Sequence, residues 1–188
     1  VCKWLYKVGA DADITKADIK GVTPMSIACL RGHLSVCKWL YKVGADEDII
    51  KVDNDGDTPM HVACTKGHLS VCEWLYEMGT TEDISKVNQW GYTPMLLACM
   101  NGHLSVCEWL FKMGTTEDIR KVSNIGGTPM YYACLRGELS VCEWLFKMGA
   151  TLDIHLPTLR GQSPFKAALL RLSIFCLLYT SPSPRDDE

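Results

Sequence analysis

The chain reads as an all-α solenoid of stacked helix-turn-helix units with long hairpin-like fingers. Three observations predict it. The stretch Gly56-Asp57-Thr58-Pro59-Met60 recurs as Gly21-Val22-Thr23-Pro24-Met25, Gly91-Tyr92-Thr93-Pro94-Met95 and Gly126-Gly127-Thr128-Pro129-Met130, always 35 residues apart, and weakens to Gly161-Gln162-Ser163-Pro164-Phe165. Each Thr-Pro is followed by apolar residues at helical spacing, and a glycine stops each helix. A fixed period of this length marks units that touch only their neighbours, so it replaces domain count by repeat count.

The units run in order as a partial repeat 1–20, full repeats 21–55, 56–90, 91–125 and 126–160, and a partial repeat 161–175. The full repeat 56–90 shows why each element should form. Thr58 is an N-cap whose hydroxyl accepts an orphan backbone N–H, and Pro59 suits the first helical position, where no N–H is needed. Met60, Ala63 and Cys64 share one face, and Gly67 supplies a left-handed stop. Leu69, Val71, Cys72, Trp74 and Leu75 give the apolar side of a second helix, ended by Gly79. Residues 80–90, polar apart from Ile84, Val87 and Trp90, form the finger. Helices this short are marginal alone, so their stability must come from burying apolar faces against neighbouring repeats.

The chain begins inside a repeat, because Val1 to Gly9 matches Val36 to Gly44 residue for residue. We therefore expect a fragment. At the other end, Cys176 to Asp186 (Cys-Leu-Leu-Tyr-Thr-Ser-Pro-Ser-Pro-Arg-Asp) resembles a translated transposase-type sequencing adaptor, and residues 176–188 are expected to be a non-native tail. The array proper is then 1–175.

These residues resemble the ankyrin repeat family. The family pattern Gly-x-Thr-Pro-Leu-His-x-Ala-Ala, two variable residues, Gly-His-Leu-x-Val-Val appears as Gly56 to Cys72, with Gly44-Ala45-Asp46 placed as the family places Gly-Ala-Asp. The likeness covers about residues 1–171. The family unit is 33 residues, and the two extra ones here lie between Gly44 and Thr58, which predicts a longer finger on an undisturbed helix stack. The first-helix His occurs only as His61, replaced by Ser26, Leu96 and Tyr131. Leu172 stands where Gly137 would, so the last helix is expected to run on.

Cysteine is periodic: Cys29, Cys64, Cys99 and Cys134 on first helices, and Cys2, Cys37, Cys72, Cys107 and Cys142 on second helices. A metal site would want C-x-x-C pairs or clustered Cys and His, and the sequence has neither. A disulfide between the two helices is geometrically conceivable but needs an oxidising compartment. The reading adopted is that Cys replaces the family's Ala and Val as a small buried apolar residue. Trp4, Trp39, Trp74, Trp109 and Trp144 recur two residues before Tyr6, Tyr41, Tyr76, Phe111 and Phe146, and are assigned to packing ladders. His33, His68 and His103, with Glu138 in the fourth place, are turn residues. Repeats advance by about 10 Å, whereas zinc–nitrogen bonds are about 2 Å, so the three imidazoles cannot share one ion.

Composition narrows function by exclusion. With 47% hydrophobic and 22% charged residues the chain is a folded one, and a net charge of -3 offers no basic footprint for nucleic acid or an anionic membrane. No phosphate loop or nucleophile elbow is present, and neither a cofactor nor catalysis is expected.

Function must then lie where repeats differ. Around the finger tips the chain offers Asp55 and Asp57, then Trp90 and Tyr92, then Ile125 with Gly127, then Arg160 with Gln162. On the first helix it offers Ser26, His61, Leu96 and Tyr131, and near that helix's end Arg31, Lys66, Asn101 and Arg136. The family resemblance implies that these positions face a concave groove that binds proteins. Trp90, Tyr92 and Ile125 would form its apolar centre, flanked by Asp55, Asp57 and Arg160. The competing reading is that Trp90 folds back on its own finger. The expected function is a non-catalytic protein-interaction module, monomeric and intracellular, in the cytoplasm. Two alternatives stand beside it: a regulatory array of a larger kinase or ubiquitin ligase, and an architectural spacer.

Overall fold

The computed structural model describes residues 1–7, 9 and 11–170. The expected run-on past Leu172 and the tail 176–188 lie outside them. Helices α1 (Cys2–Lys7), α2 (Pro24–Leu30), α3 (Leu34–Lys42), α4 (Pro59–Lys66), α5 (Leu69–Glu77), α6 (Pro94–Met100), α7 (Leu104–Lys112), α8 (Pro129–Arg136) and α9 (Leu139–Lys147) follow in order. A further helical stretch, α10, spans 164–170. No strand occurs among the described residues.

Each first helix starts as the sequence predicts. The threonine hydroxyls of Thr23, Thr58, Thr93 and Thr128 accept from the backbone N–H three residues on, at 3.1–3.4 Å, ahead of a proline at the first turn. These caps satisfy donors that a short helix would otherwise leave open. The stop between the helices depends on glycine for two reasons. Gly32 has φ +70°, and a Cβ there would lie 2.6 Å from Nδ1 of His68 in the next repeat.

First helices stack on first helices, α2 on α4 on α6 on α8, and second helices run alongside them in the order α3, α5, α7, α9. The shared interior is a file of equivalent side chains: Met25, Met60, Met95 and Met130 from first helices and Leu40, Leu75, Leu110 and Leu145 from second helices, all buried. Within each repeat the two cysteine sulfurs touch at 3.6–3.7 Å, as Cys29–Cys37, Cys64–Cys72, Cys99–Cys107 and Cys134–Cys142. That is contact between free thiols, far longer than a disulfide bond of about 2.05 Å. Cys134 and Cys142 are half-buried and Cys2 is exposed, so burial is not uniform along the series.

The tryptophans form the expected ladder, and the structure shows its rung. Each packs edge-on against the aromatic ring of the preceding repeat: Trp39 on Tyr6 at 5.6 Å, Trp74 on Tyr41 at 5.9 Å, Trp109 on Tyr76 at 5.8 Å, Trp144 on Phe111 at 5.8 Å. The edge-to-face arrangement sets a positive ring edge against a negative face. Trp4 is the exception, exposed at one end of the ladder.

Each finger has two parts. The first is a tight turn, with 3-10 geometry at Glu47–Ile49, Asp118–Arg120 and Thr151–His155, that buries one aspartate per repeat: Asp48, Asp83, Asp118, Asp153. Lys51, Lys86 and Lys121, three residues on, pair with the first three at 3.6–3.7 Å. Leu156 takes the lysine's place after Asp153, and Arg120 of the preceding finger supplies the cation instead, at 3.1 Å. The second carboxylate oxygen of all four aspartates lacks a partner, and burial raises the pKa of Asp48, Asp83 and Asp118.

Candidate functional site

The second part of each finger is its tip, a turn closed by backbone bonds such as Asp53 N–H to Asp57 O at 3.1 Å and Asn88 N–H to Tyr92 O at 3.1 Å. The first tip residue shapes it. One side-chain oxygen of Asp53 accepts from the N–H groups of Asp55 and Asp57, both at 2.9 Å, and that of Asn88 accepts from those of Trp90 and Tyr92, both at 3.0 Å. Asp and Asn favour such turns because a short acceptor can bond its own backbone two residues on.

The tips are tied to one another. Asn54, Gln89, Asn124 and Leu159 donate their backbone N–H to the carbonyls of Lys20, Asp55, Trp90 and Ile125, at 2.9–3.1 Å. Side chains reinforce the ties: Asn54 Nδ2 donates to Ile19 O, Gln89 Nε2 to Asp55 Oδ1 and Asn124 Nδ2 to Gln89 O, at 2.7–3.1 Å. The five tips therefore form one continuous, internally bonded edge. The residues just before the motif glycines, Lys20, Asp55, Trp90, Ile125 and Arg160, stand along it and are all exposed.

An aromatic chain runs inward from this edge. Trp90 lies over Tyr92 at 6.2 Å and 32°, Tyr92 meets Tyr132 edge-on at 5.4 Å, and Tyr132 meets Tyr131 at 5.2 Å. Hydrogen bonds fix it: the Tyr132 hydroxyl donates to that of Tyr92 at 3.2 Å and lies 3.0 Å from Ser123 Oγ, while the Tyr131 hydroxyl donates to Gln162 Oε1 at 2.8 Å. Burial raises the pKa of Tyr131 and Tyr132, so both stay neutral at physiological pH. Gly127 makes room, since a Cβ there would sit 2.7 Å from the Tyr132 ring. Trp90 touches its finger neighbour Tyr92 yet keeps 42% of its surface exposed, and Ile125 keeps 43%.

Four expected surface positions are corrected. His61, Leu96 and Tyr131 are buried, not groove-facing, and so is Ser26. The third helical position points under the finger, into the gap between repeats. His61 shows what that gap demands: its Nε2 reaches the carbonyls of Lys86 at 3.1 Å and Tyr92 at 3.2 Å, and its Nδ1 accepts from Thr58 N–H at 3.2 Å. Burial lowers its pKa to about 4. Leu96 and Tyr131 fill the same gap with apolar surface, alongside Tyr132 and Ala167. At the far end of the first helix Lys66 and Arg136 are exposed, and Asn101 is half-buried with its amide donating to Leu97 O at 2.8 Å. Asp57 is half-buried as well, holding Asn88 Nδ2 at 2.8 Å.

Sequence reasoning missed Tyr132, which links Tyr92 to Ser123 across a repeat boundary. The signal was present as the Tyr131-Tyr132 pair, standing where other repeats carry Ser-Ile, His-Val or Leu-Leu.

A family model described as ankyrin repeats (3 copies) matches residues 1–86 and again 78–156. The chain belongs to the ankyrin-repeat family. Ankyrin repeats are generally protein-interaction modules and typically non-catalytic. No curated protein matches the sequence. Among the described residues of this ankyrin array, no group of three or more His, Cys, Asp and Glu is placed to hold a metal ion, and no helix is long and apolar enough to cross a membrane.

Proposed function

We propose that this ankyrin array docks a partner protein along its bonded finger edge, with Trp90 and Ile125 as apolar anchors and Tyr92 as the support beneath Trp90. Asp55, Asp57 and Arg160 form the polar margin along the tips, and Lys66, Asn101 and Arg136 the margin on the first helices. The observation that carries this reading is the bond from Asn124 N–H to Trp90 O at 3.0 Å, which fixes two half-exposed apolar side chains on adjacent fingers. Rigid, exposed apolar anchors lose little entropy on binding, and a tryptophan in a polar surround is a favoured hot spot. The free thiols paired inside the array fit a reducing, intracellular setting.

The test is affinity capture with the wild-type array and with a Trp90→Ala/Ile125→Ala variant whose helicity is first checked by circular dichroism. Tyr92 is left intact because its hydroxyl and ring hold Tyr132. A protein retained by the wild type should then bind the variant at least about tenfold more weakly in a direct titration. Equal affinities would overturn the reading.

A further inference from the structure

We propose that the finger edge recognises a bipolar segment: a stretch of chain with a Lys or Arg at one end, apolar residues in the middle, and an Asp or Glu about nine residues away. This rests on the docking reading above and names the chemistry of the partner. From the first full repeat onward the exposed tip positions read Asp55, Trp90, Ile125, Arg160, so that acid, aromatic, aliphatic and base stand on consecutive fingers.

Among the described residues the two ends form no ion pair with each other or with the fold; Asp55 Oδ1 accepts from Gln89 Nε2 at 2.7 Å, a neutral donor that leaves the carboxylate charge uncompensated. Among the described residues Asp53, Asp55 and Asp57 enter no ion pair, although Asp53 and Asp57 shape and brace the finger. Arg160 enters none either, in contrast to Arg120, Lys51, Lys86 and Lys121. Beside Arg160, Leu159 is 80% exposed and extends the apolar stretch toward it.

Geometry sets the length. Packed helices stand about 10 Å apart, so three repeat steps place Asp55 and Arg160 roughly 30 Å apart. An extended chain rising about 3.3 Å per residue covers that span in about nine residues. At physiological ionic strength the Debye length is about 8 Å, so each end is read independently of the other. The tip backbone is already bonded from finger to finger, which leaves recognition to side chains. Charge separation is therefore read, and chain direction is not.

The test uses three end-capped, fluorescein-labelled synthetic peptides sharing a Leu-Pro-Phe centre and Gly/Ser spacers, with terminal residues Lys and Glu, Lys and Lys, or Glu and Glu. Anisotropy titrations are run against the wild type and the Asp55→Lys, Arg160→Glu and Trp90→Ala variants. The wild type should bind the Lys/Glu peptide at least about fivefold more tightly than either uniform peptide. Asp55→Lys should shift the preference to Glu/Glu, and Arg160→Glu to Lys/Lys, with 1 M salt erasing every preference. Equal binding of all three peptides, abolished by Trp90→Ala, overturns the bipolar proposal while the apolar docking reading stands. Binding that is indifferent to Trp90→Ala overturns the bipolar proposal and counts against the docking reading too. No binding of any peptide at millimolar concentration overturns the bipolar proposal alone, and the capture experiment judges the docking reading separately.

Discussion

His103 Nε2 lies 3.1 Å from the carbonyl oxygen of Thr65, 38 residues earlier in the chain, and His68 makes the same bond to Leu30. A carbonyl oxygen only accepts, so the imidazole must carry its proton on Nε2. His68 and His103 are thus stitches between successive repeats. In the fourth full repeat Glu138 stands at this position in the sequence, with Met100 at the place of Thr65, and its side chain lacks the imidazole's ring N–H.

Replacing Glu138 by His should restore the missing stitch. We expect a gain of about 0.5–1.5 kcal/mol, the usual net contribution of one hydrogen bond, seen as a higher denaturant midpoint. His103→Glu should cost a similar amount. A Glu138→His variant no more stable than the wild type would show that the carboxylate is already as well accommodated there.

His61 should make stability depend on pH. Its folded pKa of about 4 lies below the ordinary 6.5, because burial disfavours the imidazolium. The unfolded chain therefore takes up a proton here first as pH falls. The contribution is complete above 6.5 and is lost on descending toward 4, by about 3 kcal/mol at most. The buried aspartates act oppositely, since raised carboxylate pKa values favour the folded state on acidification. Subtracting the profile of His61→Leu, which copies Leu96, cancels them, and the difference should rise with pH between 4 and 6.5. A flat difference would refute the assignment.

Trp74→Ala should be severe. The ring is 5% exposed and packs edge-on against Tyr41, so truncation is expected to cost about 3–5 kcal/mol. Trp4, 64% exposed, should lose less than about 1 kcal/mol on the same change. Chemical denaturation of the two variants side by side checks both.

Gly127→Ala should disturb the aromatic chain without touching it chemically. The added methyl would press on the Tyr132 ring, and overpacking of this kind costs about 1–3 kcal/mol. The readout is a changed near-ultraviolet tyrosine signal together with a lower unfolding midpoint.

Thiol titration should separate the cysteines by burial. In the native array Cys2 should react first, Cys134 and Cys142 next, and Cys29, Cys37, Cys64, Cys72, Cys99 and Cys107 only after denaturation. Without reductant, at least nine thiols should be counted in denaturant. A smaller number would mean that some of the touching pairs are oxidised.

The solenoid was legible because its determinants are local and repeated. Thr58 caps, Pro59 starts and Gly67 stops a helix through geometry that the neighbouring residues alone specify. The packing role of the tryptophans was legible too, since a large apolar side chain repeated at one helical position has nowhere to go but the interface between repeats. What the period cannot convey is direction. It marks Ser26, His61, Leu96 and Tyr131 as varying, and variation suggested a surface. The gap beneath each finger tolerates a polar, aliphatic or aromatic filler provided the neighbouring repeat accommodates it, so a varied position can be interior.

The candidate site divides the same way. Trp90 and Ile125 were found as exceptions to the repeat, and their exposure follows from standing at a turn tip. The sequence by itself determined the unit, its caps and stops, the thiol and tryptophan series, and the tips where the repeats diverge, all consequences of short-range stereochemistry and hydrophobic spacing. The tertiary structure alone decided that Trp39 meets Tyr6, that His103 reaches Thr65, that Asn124 binds Trp90, and that Tyr132 joins Tyr92 to Ser123. Those contacts arise only when one repeat is laid against the next, because the rise and rotation between units, set by side-chain packing, determine which residues of adjacent repeats come within bonding distance.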